Sequence, residues 1–66
     1  MNNKIRVARA EARMTQQQLA DAAGVSRQTI NAIESGKFVP STVLALKIAR
    51  EFGKPVEDIF QLEEED

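Results

Sequence analysis

"GVSRQTINAIESG", residues 24–36, is the stretch whose reading decides the fold. A glycine opens it, Ser26 stands where an N-cap is wanted, and a second glycine closes it, so the spacing predicts a helix over 27–34. At about 3.6 residues per turn, Ile30 and Ile33 point to one side. Gln28, Asn31, Ala32 and Ser35 point to the other, with Arg27 and Thr29 on the borders. A solvated helix face usually alternates Lys and Glu. This one carries amides, a guanidinium and small residues, with neither Lys nor Glu in its middle. Those groups match base edges in a DNA major groove: Arg pairs with guanine, Asn and Gln with adenine, and an Ala methyl touches a thymine methyl.

Working outward, local signals divide the rest of the chain into further helices. Asn2 or Asn3 can cap a first helix over about 3–13, with Ile5, Ala8 and Ala12 at helical spacing. Thr15 followed by Gln18 is a capping-box pattern, opening a helix over about 16–23 that turns Leu19, Ala20 and Ala23 inward and ends at Gly24. After "KFVP", Ser41 caps a helix over about 42–52 with Leu44, Ala45, Ile48, Ala49 and Phe52 on its apolar side. Pro55 suits a first helical turn and opens a short helix over about 56–60. "FQLEEED" then alternates Phe60 in, Gln61 out, Leu62 in. It reads either as a strand over about 60–64 or as a frayed end. A strand would need a partner, for which Met1–Asn3 is the uncommitted segment. The expected fold class is therefore all-α, five helices in a single domain over 1–66, with room for a short β pairing of the termini.

Two helices joined by a short Gly-containing turn, the second exposed along its length, form a helix-turn-helix unit. In that unit the second helix enters the major groove. Gln16 and Gln17 open the first of the pair, where free backbone amides and the helix dipole attract a phosphate.

Composition bounds the chemistry. The chain has 66 residues, no cysteine, no histidine and a net charge of −1. Disulfides, Cys/His metal sites and most nucleophile–base pairs are thereby excluded, so neither an enzyme nor a cofactor is expected. A domain this small buries only about 60% of its unfolded surface, and oligomerisation is the support left to it. No segment approaches the roughly 20 apolar residues of a membrane span, and no leader is visible, which fits a cytoplasmic chain. Charge is unevenly placed: residues 1–37 balance to +3 and residues 38–66 to −4, with the terminal Glu63–Asp66 run reading as a solvated end. The basic half holds the recognition stretch, and a local field governs anion binding more than total charge does.

The run "TQQQLADAAGVSRQTINAIESGKFVPSTVLALKIAREFGKPVEDIF" resembles the phage-repressor class of regulators, the Cro and lambda-repressor-like (xenobiotic-response-element) family. The resemblance covers about residues 5–60. Its parts are Thr-Gln then Leu-Ala, Gly-Val-Ser, Ile-x-x-Ile-Glu-x-Gly and Pro-Ser, and the "KPVEDIF" ending is most similar to the minimal cytolysin-operon repressor type. It implies a five-helix domain acting as a homodimer on a pseudo-palindromic operator, most simply as a repressor. Position by position it implies that Ser26, Arg27, Gln28 and Asn31 read bases. Gln16 matches a position that contacts both phosphate and base, and Thr29, Ser35 and Lys37 match positions that contact the backbone; the helix start adds Gln17 to the phosphate contacts. Ala32 stands where many relatives carry a longer contacting side chain, so fewer bases are expected to be read there. Arg9 and Glu34 match a structural ion pair, which fits their inward positions on their own helices. Arg6 and Arg13 read as solvated charges.

Val39, Val43, Leu46, Val56, Ile59, Phe60 and Leu62 are more apolar surface than one small domain needs. A dimer seam is expected there, at Val56, Ile59, Phe60 and Leu62, on the half whose charge is wrong for DNA. With no second domain to form a ligand pocket, control is expected from a regulatory protein partner, from concentration or from competition on DNA. The alternative function is an antitoxin or adaptor, in which the same fold mainly binds a protein partner.

Overall fold

The computed structural model describes residues 1–66. In chain order it contains β1 (Asn2–Asn3), α1 (Ile5–Ala12), α2 (Gln16–Ala23), α3 (Arg27–Glu34), α4 (Thr42–Glu51), α5 (Val56–Ile59) and β2 (Phe60–Gln61). Five helices and one antiparallel two-strand pairing match the expected all-α class with its β pairing of the termini. The register sets Asn2 against Gln61 and Asn3 against Phe60.

Local side-chain chemistry places three of the five helix starts. The Thr15 hydroxyl accepts from the Gln18 amide at 3.0 Å while the Gln18 side chain accepts from the Thr15 amide at 2.8 Å, a complete capping box. Ser26 accepts from the Thr29 amide and Ser41 from the Leu44 amide, each at 3.2 Å. The turn between α2 and α3 needs a residue at φ 74°, and Gly24 supplies it without a Cβ clash.

Several boundaries differ from the sequence expectation. The first helix starts at Ile5 rather than near residue 3, because Asn3 is taken by the ladder to Phe60. Its side chain still serves the helix: Oδ1 accepts from the Ile5 amide at 3.3 Å, and Nδ2 donates to the Ile33 carbonyl at 2.8 Å, tying the first strand to α3. Arg13 leaves the helix in the left-handed region at φ 54°, and Ala12, the last helical residue, is exposed. Phe52 is the C-cap of α4, and Pro55 is the N-cap of α5. The last strand stops at Gln61 because β1 offers it only two partners. The inward alternation therefore does not reach Leu62, which is 81% exposed.

The core is one cluster: Ile5 and Ala8 from α1, Leu19, Ala20 and Ala23 from α2, Ile30 and Ile33 from α3, Ile48 and Ala49 from α4, then Ile59 and Phe60. This corrects the expected dimer seam. Ile59 is 1% and Phe60 8% exposed within one chain, so their side chains are spent on the monomer's own core. Val56 is half-buried, packed against that core, and Leu62 is free. The core grips α3 by Ile30 and Ile33 alone and leaves its opposite side to solvent.

Candidate nucleic-acid interface

Ser26, Arg27, Gln28, Asn31 and Ser35 are exposed on α3, and Thr29 and Ala32 are half-buried beside them. The α2 start sits against this face. Gln16 Nε2 donates to Asn31 Oδ1 at 3.2 Å, and Arg27 Nη1 lies 3.5 Å from Gln16 Oε1. The first i−4 bond of α2 runs from the Leu19 amide to the Thr15 carbonyl, so the amides of Gln16 and Gln17 precede it and have no partner within the helix. Free donors of α2 and the side chains of the N-terminal half of α3 thus share one surface. Lys37 is exposed just beyond α3, where its amide closes the helix end on the Ala32 carbonyl at 2.9 Å.

Some side chains of this surface are occupied locally. Gln17 donates along its own helix to Asp21 at 2.8 Å, which occupies its amide nitrogen. The Thr29 and Ser26 hydroxyls are 3.0 Å apart, and Ser35 Oγ donates to the Ala32 carbonyl at 3.1 Å.

Beneath the surface lies an ion pair. Glu34, its side chain only 1% exposed, accepts from Arg9 Nε at 2.7 Å and from Arg9 Nη2 at 3.1 Å. Arg9 Nη1 also donates to the Met14 carbonyl at 2.9 Å, so one guanidinium joins α1, the turn after it and the end of α3. Burial pushes the Glu34 carboxyl up. The hydrogen bonds from Arg9 and Gln16 and the charges of Arg9 and Arg6 outweigh that, and its pKa lies below the ordinary value.

Two features of this arrangement are absent from the sequence reading. Arg6, expected to be a solvated charge, has its Nε 3.5 Å from Glu34 Oε1 although its side chain is 75% exposed. Gln16 Nε2 reaches the same oxygen at 3.4 Å, connecting the ion pair to Asn31. The Gln16 contacts span 15 and 18 residues of sequence and the Arg6 contact spans 28, and no local periodicity carries such a signal.

The geometry agrees with what known proteins look like. The family described as "Helix-turn-helix" matches residues 5–59. The chain is 49% identical over 65 residues to the uncharacterized HTH-type transcriptional regulator YgzD of Bacillus subtilis, covering 98% of both. It is 53% identical over 66 residues to an uncharacterized HTH-type transcriptional regulator of Methanocaldococcus jannaschii, covering 100% of both. Among solved structures it is similar to the restriction-modification controller protein C.AhdI of Aeromonas hydrophila, with a TM-score of 0.79, 27% identity and 85% of each chain covered. It is also similar to the clp gene regulator ClgR of Corynebacterium glutamicum, with a TM-score of 0.77 and 30% identity, over 82% of this chain and 57% of that one. No helix is long and apolar enough to cross a membrane. An exposed second helix on a Gly-turned pair, matched over nearly the whole chain by such relatives, places this protein in the helix-turn-helix family of DNA-binding transcriptional regulators.

Proposed function

We propose that the protein is a homodimeric repressor that reads a pseudo-palindromic operator with α3, acting in the cytoplasm on the nucleoid. The observation that carries this reading is the single surface shared by the α2 start and the exposed half of α3, joined at Gln16 and Asn31. Ser26, Arg27, Gln28 and Asn31 read base edges. Gln16, Thr29, Ser35 and Lys37 hold phosphates and set the register, together with the free first-turn amides of α2. Gln17 joins them once its side chain leaves Asp21. A two-fold dimer sets two such helices about 34–36 Å apart, one turn of B-DNA. Repression follows from occupancy, since a dimer on a promoter obstructs polymerase.

The dimer seam lies on the opposite charge half. Leu46 and Val39 are 53% and 62% exposed and line, with Val56 and Pro40, an apolar groove of about 250 Å³. A second copy is the occupant this reading assigns to it, with Val56 and the exposed Leu62 available in place of the buried Ile59 and Phe60. Joining there leaves both basic faces free.

Selection of binding sites from random duplex DNA tests the whole reading. The expected product is a two-fold site with half-sites one helical turn apart. Gln28→Ala should relax preference at one base position, whereas Lys37→Ala should weaken all sites alike and lower the salt slope by about 1. Pure protein that enriches no sequence, but binds once a partner protein is added, would overturn it in favour of an adaptor.

A further inference from the structure

The exposed amides of α3 are not equivalent, and the difference begins at the buried ion pair. A carboxylate paired with Arg accepts hydrogen bonds only, and a guanidinium donates only. Gln16 lies between one of each: Glu34 Oε1 on one side at 3.4 Å and Arg27 Nη1 on the other at 3.5 Å. Its amide therefore has one favourable orientation, nitrogen toward Glu34 and oxygen toward Arg27. The reverse would set oxygen against oxygen at Glu34 and donor against donor at Arg27. With that orientation fixed, the Gln16 nitrogen is also what Asn31 meets, so Asn31 must turn its oxygen inward to accept at 3.2 Å. Its Nδ2, with two hydrogens, is left pointing away from Gln16 and has no acceptor in the molecule.

Bidentate pairing of Asn with adenine takes both amide heteroatoms, the nitrogen donating to N7 and the oxygen accepting from N6. An Asn31 whose oxygen is held against α2 cannot lay that edge on the base. Guanine presents two acceptors, N7 and O6, to which a lone NH₂ group can donate. We infer that Glu34, acting through Gln16, orients the Asn31 amide so that α3 offers only donors at that position and selects guanine over adenine. Gln16 and Glu34 are positioning residues here, and Asn31 is the residue that determines specificity. The inference rests on the proposal that α3 reads bases.

The test is site selection followed by quantitative binding with three proteins: wild type, Asn31→Ala and Gln16→Met. Asn31→Ala identifies the base position concerned, as the one whose preference it flattens. Wild type should hold guanine there at least five-fold over adenine. Gln16→Met keeps the side-chain length but removes the tether, so the ratio should fall to within two-fold while preferences at positions read by neither Asn31 nor Arg27 persist. The readout is the ratio at one position because loss of a phosphate contact by Gln16 weakens every site alike. Adenine preferred by wild type, a ratio unchanged in Gln16→Met, or no position altered by Asn31→Ala would each overturn the orientation argument while leaving operator recognition standing. Absence of sequence preference at every position would instead overturn the base-reading proposal beneath it.

Discussion

Glu34 shows how one side chain holds a helix in place and tunes it. Its carboxylate is nearly inaccessible and meets Arg9 through two bonds, so removing its charge strands a partly buried guanidinium. Breaking such a pair costs about 3–5 kcal/mol in a fully buried setting, and Arg9, 16% exposed, places this pair toward the lower end. Because the folded pKa is depressed, the unfolded chain takes up the proton first as the solution is acidified. The stability this group contributes is therefore complete above the unfolded value of about 4.3 and is lost as pH falls through the lower folded value. Urea-unfolding midpoints followed from pH 6 to pH 3 should drop more steeply for wild type than for Glu34→Gln, which should be less stable at neutral pH and flatter below. Parallel curves would show that Glu34 is not the linked group.

Among the elements, caps that look alike have separable consequences. Ser26 and Ser41 make the same 3.2 Å bond to the third amide of their helices. Replacing either by Ala should cost about 1 kcal/mol, or about 4–8 °C in Tm for a domain of this size. Only Ser26→Ala should also alter DNA binding, since α4 lies away from the α3 surface. Equal losses of operator affinity in the two variants would contradict the proposed docking of α3. These caps, with Gly24 and the helical spacing of Ile30 and Ile33, are legible because each signal spans three or four residues. The start of α1 is not, since the pairing of Asn3 with Phe60 joins the two ends of the chain. The exposed face of α3 followed from helical period alone. The link from Gln16 to Asn31 and Glu34 depends on how α2 packs over α3, which no local pattern encodes.

For the whole molecule, packing decides which apolar residues hold one chain together and which are free for the proposed dimer. Six branched apolar residues in the C-terminal half look interchangeable in sequence; packing divides them, Ile59 at 1% exposure against Leu46 at 53%. The division gives opposite expectations for two variants. Ile59→Ala empties a filled core position and should cost about 2–5 kcal/mol whatever the protein concentration. Leu46→Glu adds a charge to an already exposed site in a half that balances to −4, so the monomer should unfold as before while two copies repel at the seam. Sedimentation should then show wild type and Ile59→Ala, at a temperature where the latter is folded, as dimers and Leu46→Glu as a monomer. Operator affinity of Leu46→Glu should fall at least ten-fold for the two-fold site and change little for an isolated half-site, because the α3 surface is untouched and only the linkage of two half-sites is lost. A Leu46→Glu protein that still sediments as a dimer would move the seam off this groove. A wild-type protein that stays monomeric both free and on its operator would remove the two-fold arrangement altogether.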